Sequence, residues 1–220
     1  LAPDPRVLLF DEPLSALDRN LRETLKYAIL DLQRKTHKTA IYVTHDQSEA
    51  FAISDRIVVM NHGEIEQIGT QTSIYLEPQT PFVAEIIGAN NVLNGNISAI
   101  EMIAGQTYAT VSSGKLTQRS PARIPLTVGE PVLAYIRPEN IRVLTGEQEM
   151  PHAINVLEGD VVRVIFEGAT AQLRIDVDGY ELRADVTGNQ RIMLNQGRSR
   201  VWLSFDEVTL LSKAQSLIAV

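Results

Sequence analysis

Asp11 and Glu12 close a four-residue apolar run, Val7-Leu8-Leu9-Phe10, and a second β-prone run, Thr39 to Thr44, leads directly into His45. Adjacent carboxylates suit water activation at a phosphoryl centre: Asp11 can hold Mg²⁺, directly or through water, while Glu12 polarises the attacking water. An imidazole beside them can hydrogen-bond a terminal phosphate or that water, which is the chemistry His45 offers. Ser15 and Asp18 follow Glu12 closely in the run Leu14-Ser15-Ala16-Leu17-Asp18. Each group also has a plainer reading. Asp-Glu can end a strand in a solvated turn, Ser15-x-x-Asp18 matches a helix-capping pattern, and His45 can be an ordinary loop histidine.

Convergence of these groups requires a scaffold, and the surrounding pattern supplies one. Val7 to Phe10 reads as a buried strand, Leu17 to about Lys35 as a helix, and Thr39 to Thr44 as a second strand. Within the helix Leu21, Leu25, Ile29 and Leu32 recur at intervals of four, four and three, so they line one face. Strand, helix and strand at this length predict a βαβ unit with parallel strands buried on both faces. Ligands of such sheets sit beyond the carboxyl ends of the strands, where Asp11, Glu12 and His45 fall.

A short helix from Asp46 to about Ile53 comes next, then strands at Arg56 to Met60 and Glu64 to Ile68 around the turn Asn61-His62-Gly63. Asn and Gly there can supply the positive φ of a hairpin. Short helical stretches near Ser73 to Leu76 and Phe82 to Ile87 precede Gly88-Ala89-Asn90-Asn91, the expected domain boundary. Beyond it the pattern is short strands between turns: 132–137, 141–144, 160–166, 171–177, 180–186 and 200–205. Asp178-Gly179 marks a tight hairpin. Strands at this spacing predict one or two small OB-type barrels, with no low-complexity tract and no internal repeat.

The 220 residues carry 27 acidic and 20 basic side chains, a formal charge of -7, which disfavours general nucleic-acid binding. Residues 90 to 220 hold 12 basic and 14 acidic residues with no interleaved aromatic stripe, which argues against oligonucleotide binding by the β-rich part. Without cysteine there is no disulfide framework, thiolate zinc site or thiol nucleophile. The longest apolar run, Val132 to Ile136, falls far short of the roughly 20 residues of a membrane-spanning helix. The opening Leu1-Ala2-Pro3-Asp4-Pro5 has neither an initiator Met nor a signal-peptide layout, so a segment upstream is expected.

The stretch from Ala2-Pro3-Asp4-Pro5-Arg6 through Asp11-Glu12-Pro13 to Leu14-Ser15-Ala16-Leu17-Asp18 resembles the Walker B motif and D-loop of ABC-transporter ATP-binding subunits. Tyr42-Val43-Thr44-His45-Asp46-Gln47-Ser48-Glu49-Ala50 resembles their switch-histidine loop, and Asp55 to Gly69 is similar to the hairpin that follows it. Residues 73–90 resemble the join in importer ATPases for iron(III), polyamines, sulfate, maltose and similar solutes, and Tyr135-Ile136-Arg137-Pro138-Glu139 looks like the signature of their TOBE domain, an OB-type module. Gln71 and Ser73 stand where that join usually carries Pro and Glu.

The resemblance implies a partial P-loop NTPase sheet of α/β class over residues 1–89 and an all-β TOBE domain over 90–220. It makes Asp11 the Mg²⁺-associated carboxylate, Glu12 the general base, His45 the γ-phosphate sensor, and Ser15 and Asp18 parts of the D-loop that contact nucleotide and partner. It further implies ATP and Mg²⁺ as cofactors, a second ATPase subunit in a homodimer, membrane permease subunits, and a cytoplasmic position on the inner face of the membrane. G-x-x-x-x-G-K-[ST] occurs nowhere, since the first glycine is Gly63, and the signature loop is missing too. The chain is therefore expected to be the C-terminal part of such a subunit and to hydrolyse no ATP alone. The alternative is a regulatory or dimerising β module with a small oxyanion at Arg137 or Arg142.

Overall fold

In the computed structural model residues 5–88, 90–145, 153–187 and 199–213 are described. They group into two compact units, Leu1–Pro78 and Gln79–Val220.

In the first unit β1 (Val7–Asp11) leads through α1 (Arg19–Thr36) to β2 (Thr39–Val43), and β1 and β2 pair in parallel, Asp11 opposite Val43. The helix starts where Asp18 accepts the backbone N–H groups of Asn20 and Leu21, each at 3.0 Å. It ends at His37, which takes a left-handed conformation and donates its N–H to Gln33 O. The expected burial of both strand faces is not realised. Leu8, Phe10 and Tyr42 lie on the covered side, whereas Val7, Ile41, Val43 and above all Leu9, 74% exposed, face outward. Two strands and one crossover helix leave one face of the sheet open.

The unit continues with α2 (Gln47–Ile53), a hairpin of β3 (Ile57–Asn61) and β4 (Glu64–Gly69), and α3 (Gln71–Leu76). The hairpin turn differs from the expectation in one residue. His62 (φ 48°) and Gly63 (φ 86°) take the positive φ values, while Asn61 belongs to β3 and donates from its amide to Glu66 at 3.0 Å.

The second unit opens with α4 (Pro81–Ile86), which falls on its side of the division although the sequence pattern sets the boundary near residue 89. Ala84 of this helix packs with Tyr135 and Leu211, and the Tyr135 hydroxyl meets the Glu85 carboxylate at 3.1 Å. These contacts tie the helix to the β structure.

Among the described residues ten strands follow: β5 (Asn91–Ile103), β6 (Gln106–Ser113), β7 (Leu116–Pro121), β8 (Pro131–Ile136), β9 (Arg142–Leu144), β10 (Asn155–Phe166), β11 (Thr170–Val177), β12 (Tyr180–Thr187), β13 (Arg200–Phe205) and β14 (Thr209–Ser212). They form two antiparallel five-stranded sheets, β14-β8-β5-β6-β7 and β12-β11-β10-β13-β9, around one apolar core that includes Leu93, Ile97, Val111, Val161, Leu173 and Leu203.

The two sheets repeat one plan, contrary to the expectation of no internal repeat. Asn91-Val92-Leu93-x-Gly95-x-Ile97 recurs 64 positions later as Asn155-Val156-Leu157-x-Gly159-x-Val161, and both strands bulge just past the glycine motif, between Ile97 and Ala99 and between Val161 and Arg163. Each half sends its last strand to the other sheet, β9 to β13 and β14 to β8. The repeated asparagines bridge the two sheets. Asn91 donates to Ile136 O and Arg183 O and accepts Arg183 N–H, and Asn155 donates to Phe205 O and Arg119 O and accepts Arg119 N–H. A side chain would find no room at either repeated glycine, since a Cβ on Gly95 would lie 2.6 Å from Ser112 O and one on Gly159 2.7 Å from Asp176 O.

Candidate functional site

The parallel pairing of β1 and β2 brings their carboxyl ends together, and Glu12 N–H donates to Val43 O at 2.9 Å, one residue beyond the strand. Glu12 holds φ at 43°, a left-handed conformation disfavoured for a residue with a side chain. Its carboxylate Oε1 lies 3.1 Å from Nδ1 of His45, a contact that hydrogen-bonds when the Nδ1 carries the proton. Both side chains are open to solvent, 46% and 73% exposed, so the pair adds little to stability and its groups remain reachable.

Around the pair lies a small cleft of ≈ 30 Å³ lined by Glu12, Ser15, Arg22, Thr44, His45, Asp46 and Glu49. Ser15 donates from Oγ to Glu12 O at 3.0 Å, which fixes the loop leaving β1. Of the five residues singled out from sequence, Glu12, Ser15 and His45 therefore gather here. Asp18 caps α1 with its own carboxylate, where the Ser15-x-x-Asp18 pattern would have made Ser15 the cap, and Asp11 ends β1 without lining the cleft.

A layer behind the pair carries no role in the sequence reading. Glu49, on α2, is buried and accepts the Tyr42 and Thr44 hydroxyls on Oε2, both at 2.9 Å. Burial, followed by the hydrogen bond to Glu49, pushes the Tyr42 hydroxyl well above the usual phenol range. Arg22 on α1 faces the same group, 3.8 Å from Asp46 and 4.0 Å from Glu49. Asp46 caps α2 by accepting Ser48 and Glu49 N–H, and a hydrogen bond from the Ser48 side chain leads the effects that hold its carboxyl below the usual range. Asp46-x-x-Glu49 has the spacing of a capping box, a signal for the helix start that the sequence reading did not use. Glu49 turns to Tyr42 and Thr44, so that spacing would not have marked it as a buried carboxylate.

The donor set fits the water-activating end of a nucleotide site and not a complete one. Among the described residues its lining holds one arginine, Arg22, and no lysine, and no group of three or more His, Asp or Glu is placed to hold a metal ion. In the second unit a larger pocket of ≈ 390 Å³ is lined by Lys115 and Arg200 but also by Glu158, Asp160, Asp176 and Asp178, and excludes Arg137 and Arg142. Its net acidic wall does not suit an oxyanion.

Residues 134–210 match the model of the TOBE domain family. The chain is 40% identical to the spermidine/putrescine import ATP-binding protein PotA of Lawsonia intracellularis, over 94% of this chain and 56% of that protein. It is 41% identical to the protein of that name from Nitratidesulfovibrio vulgaris, over 82% and 48%. The sulfate/thiosulfate import ATP-binding protein CysA of Mannheimia succiniciproducens is 38% identical over 80% and 49%. The chain thus spans about half the length of the curated relatives it matches. A crystal structure of the cytoplasmic molybdate-binding protein ModG superposes with a TM-score of 0.51 at 21% identity, over 56% of this chain and 96% of that one, and shares the fold of the β unit. With the Asp11-Glu12 strand and the His45 loop in the first unit and the exchanged β sheets in the second, these matches place the chain among the ATP-binding subunits of ABC importers, as a portion that carries a TOBE domain.

Proposed function

We propose that the first unit supplies the water-activating end of an ATP-hydrolysing site that drives solute uptake, and that the second is its accessory β domain. The observation that carries this reading is the Glu12–His45 pair, 3.1 Å apart beyond the ends of two parallel strands in a chain related to import ATP-binding proteins. Glu12 takes the proton of an attacking water, and its strained backbone with the hydrogen bond to Val43 O holds the carboxylate where β1 ends. His45 donates through Nδ1 to Glu12 and, when it carries both ring protons, through Nε2 to a developing phosphate charge. Asp11, at the end of β1 and outside the cleft lining, would be the residue to hold a metal in the assembled site, where the ion would offset that charge.

In this reading ATP, Mg²⁺, a second ATPase subunit and membrane permease subunits belong to the assembled importer. Positioning of the phosphates is most of this catalysis, and among the described residues the cleft lining offers no lysine for it. Two assays test the reading together. This chain alone gives no ATPase above buffer, and fusion to the phosphate-binding half of the Lawsonia relative restores turnover. Turnover by the chain alone that vanishes in Glu12→Gln, or a fused protein that binds ATP without hydrolysing it, would overturn it.

A further inference from the structure

Arg22 occupies a position that neither the capping pattern nor the Glu12–His45 pair requires. Its Nη2 donates to Leu17 O at 3.1 Å, inside the loop that carries Ser15 and Asp18. Its Nη1 lies 3.8 Å from Asp46 Oδ2, next in sequence to His45, and its Nε lies 4.0 Å from Glu49 Oε1. Glu49 in turn accepts the Tyr42 and Thr44 hydroxyls, and Thr44 Oγ1 accepts the N–H of Asp46. One guanidinium therefore touches the loop after β1, while the carboxylates it faces hold both ends of the segment that carries His45. The Nε group is buried with no hydrogen-bond partner among the described residues, so the link is held by charge across gaps of nearly 4 Å and not by closed hydrogen bonds. Such a link keeps its partners in register while letting them move by fractions of an ångström.

We propose that Arg22 is a positioning residue that couples the Ser15–Asp18 loop to the His45 loop through Asp46 and Glu49, and so holds the His45 ring against Glu12. The proposal rests on the Glu12–His45 reading above. It assigns Arg22 no contact with substrate: the guanidinium acts through the two carboxylates.

The test reads the tautomer of His45 in the full chain, from the ring ¹³Cδ2 shift of histidine-labelled protein above the titration range of imidazole, with the signal assigned by its loss in His45→Asn. The native chain shows an excess of the Nδ1–H form, because Glu12 accepts that proton. In Arg22→Gln and in Glu49→Gln the excess falls by at least half, and in Arg22→Lys part of it returns. Glu49→Gln keeps an acceptor for Tyr42 and Thr44, so it removes the charge while the helix stays packed, and circular dichroism confirms that it is folded. Native Nδ1–H excess that persists unchanged in both variants overturns the role of Arg22 alone. No excess in the native chain overturns the Glu12–His45 pairing as well, so the two failures are distinguishable.

Discussion

Gln118→Leu should stabilise the β unit. Gln118 points inward from β7, is 1% exposed, and neither its amide oxygen nor its nitrogen finds a partner among the described residues. The position 64 residues later, equivalent in the repeat, is Leu182, which is just as buried. One half of the fold therefore already shows what the other would accept. Burying an unsatisfied amide costs about 1–3 kcal/mol, and an apolar side chain of similar size removes that cost without opening a cavity. At about 4 °C per kcal/mol for a unit of this size, the transition should rise by roughly 4–12 °C. The assay is thermal unfolding followed by the fluorescence of Trp202, the single tryptophan, which lies on β13 and so reports this unit. The converse change, Leu182→Gln, should lower the transition. A fall in Gln118→Leu would refute the reasoning, because it would mean that the amide is satisfied and useful.

Other outcomes follow from the same structure. Asn91→Ala and Asn155→Ala should each destabilise the β unit, by about 2–4 kcal/mol in denaturant titrations, since each removes three hydrogen bonds, two of them between the sheets. Equal losses are expected from the matched geometry, and a neutral effect at either site would break the symmetry argument. Asp46 has a lowered folded pKa, so its contribution to α2 is complete above the unfolded value of about 3.9 and is lost as pH falls through the lower folded one. Ser48→Ala removes the leading cause and should move the Asp46 midpoint upward in a carboxyl ¹³C titration; an unmoved midpoint would assign the shift elsewhere.

Local pattern exposed the elements nearest the site. Val7 to Phe10, the four-four-three leucine and isoleucine spacing of α1, and Thr39 to Thr44 each specify an element by periodicity, and the parallel pairing follows from their order. Burial did not follow, because it depends on what covers Leu9 and Ile41 and not on their own neighbours. β5 escaped notice since Asn94-Gly95-Asn96 reads as a turn, whereas the glycine is there to let Ser112 O approach. β6, β7 and β14 were missed with it. The repeat was visible as Asn-Val-Leu-x-Gly spaced by 64, but only the hydrogen bonds of Asn91 and Asn155 give that spacing a meaning.

At the site, adjacency in sequence announced Glu12, and strand order brought His45 to it. Arg22 and Glu49 could not be found this way, since each acts through residues on other elements. Asp18 shows the reverse case, a candidate ligand whose carboxylate serves the helix start.

The claim that Glu12 activates water is tested most directly by single-turnover hydrolysis in the chain fused to a phosphate-binding half, comparing native Glu12 with Glu12→Gln. Glutamine keeps the shape and the contact with His45 but cannot take a proton. The account predicts that ATP binds with nearly unchanged affinity while the hydrolysis step slows by about 10²–10⁴-fold, the usual contribution of a positioned general base. Equal hydrolysis rates in the two proteins would contradict it.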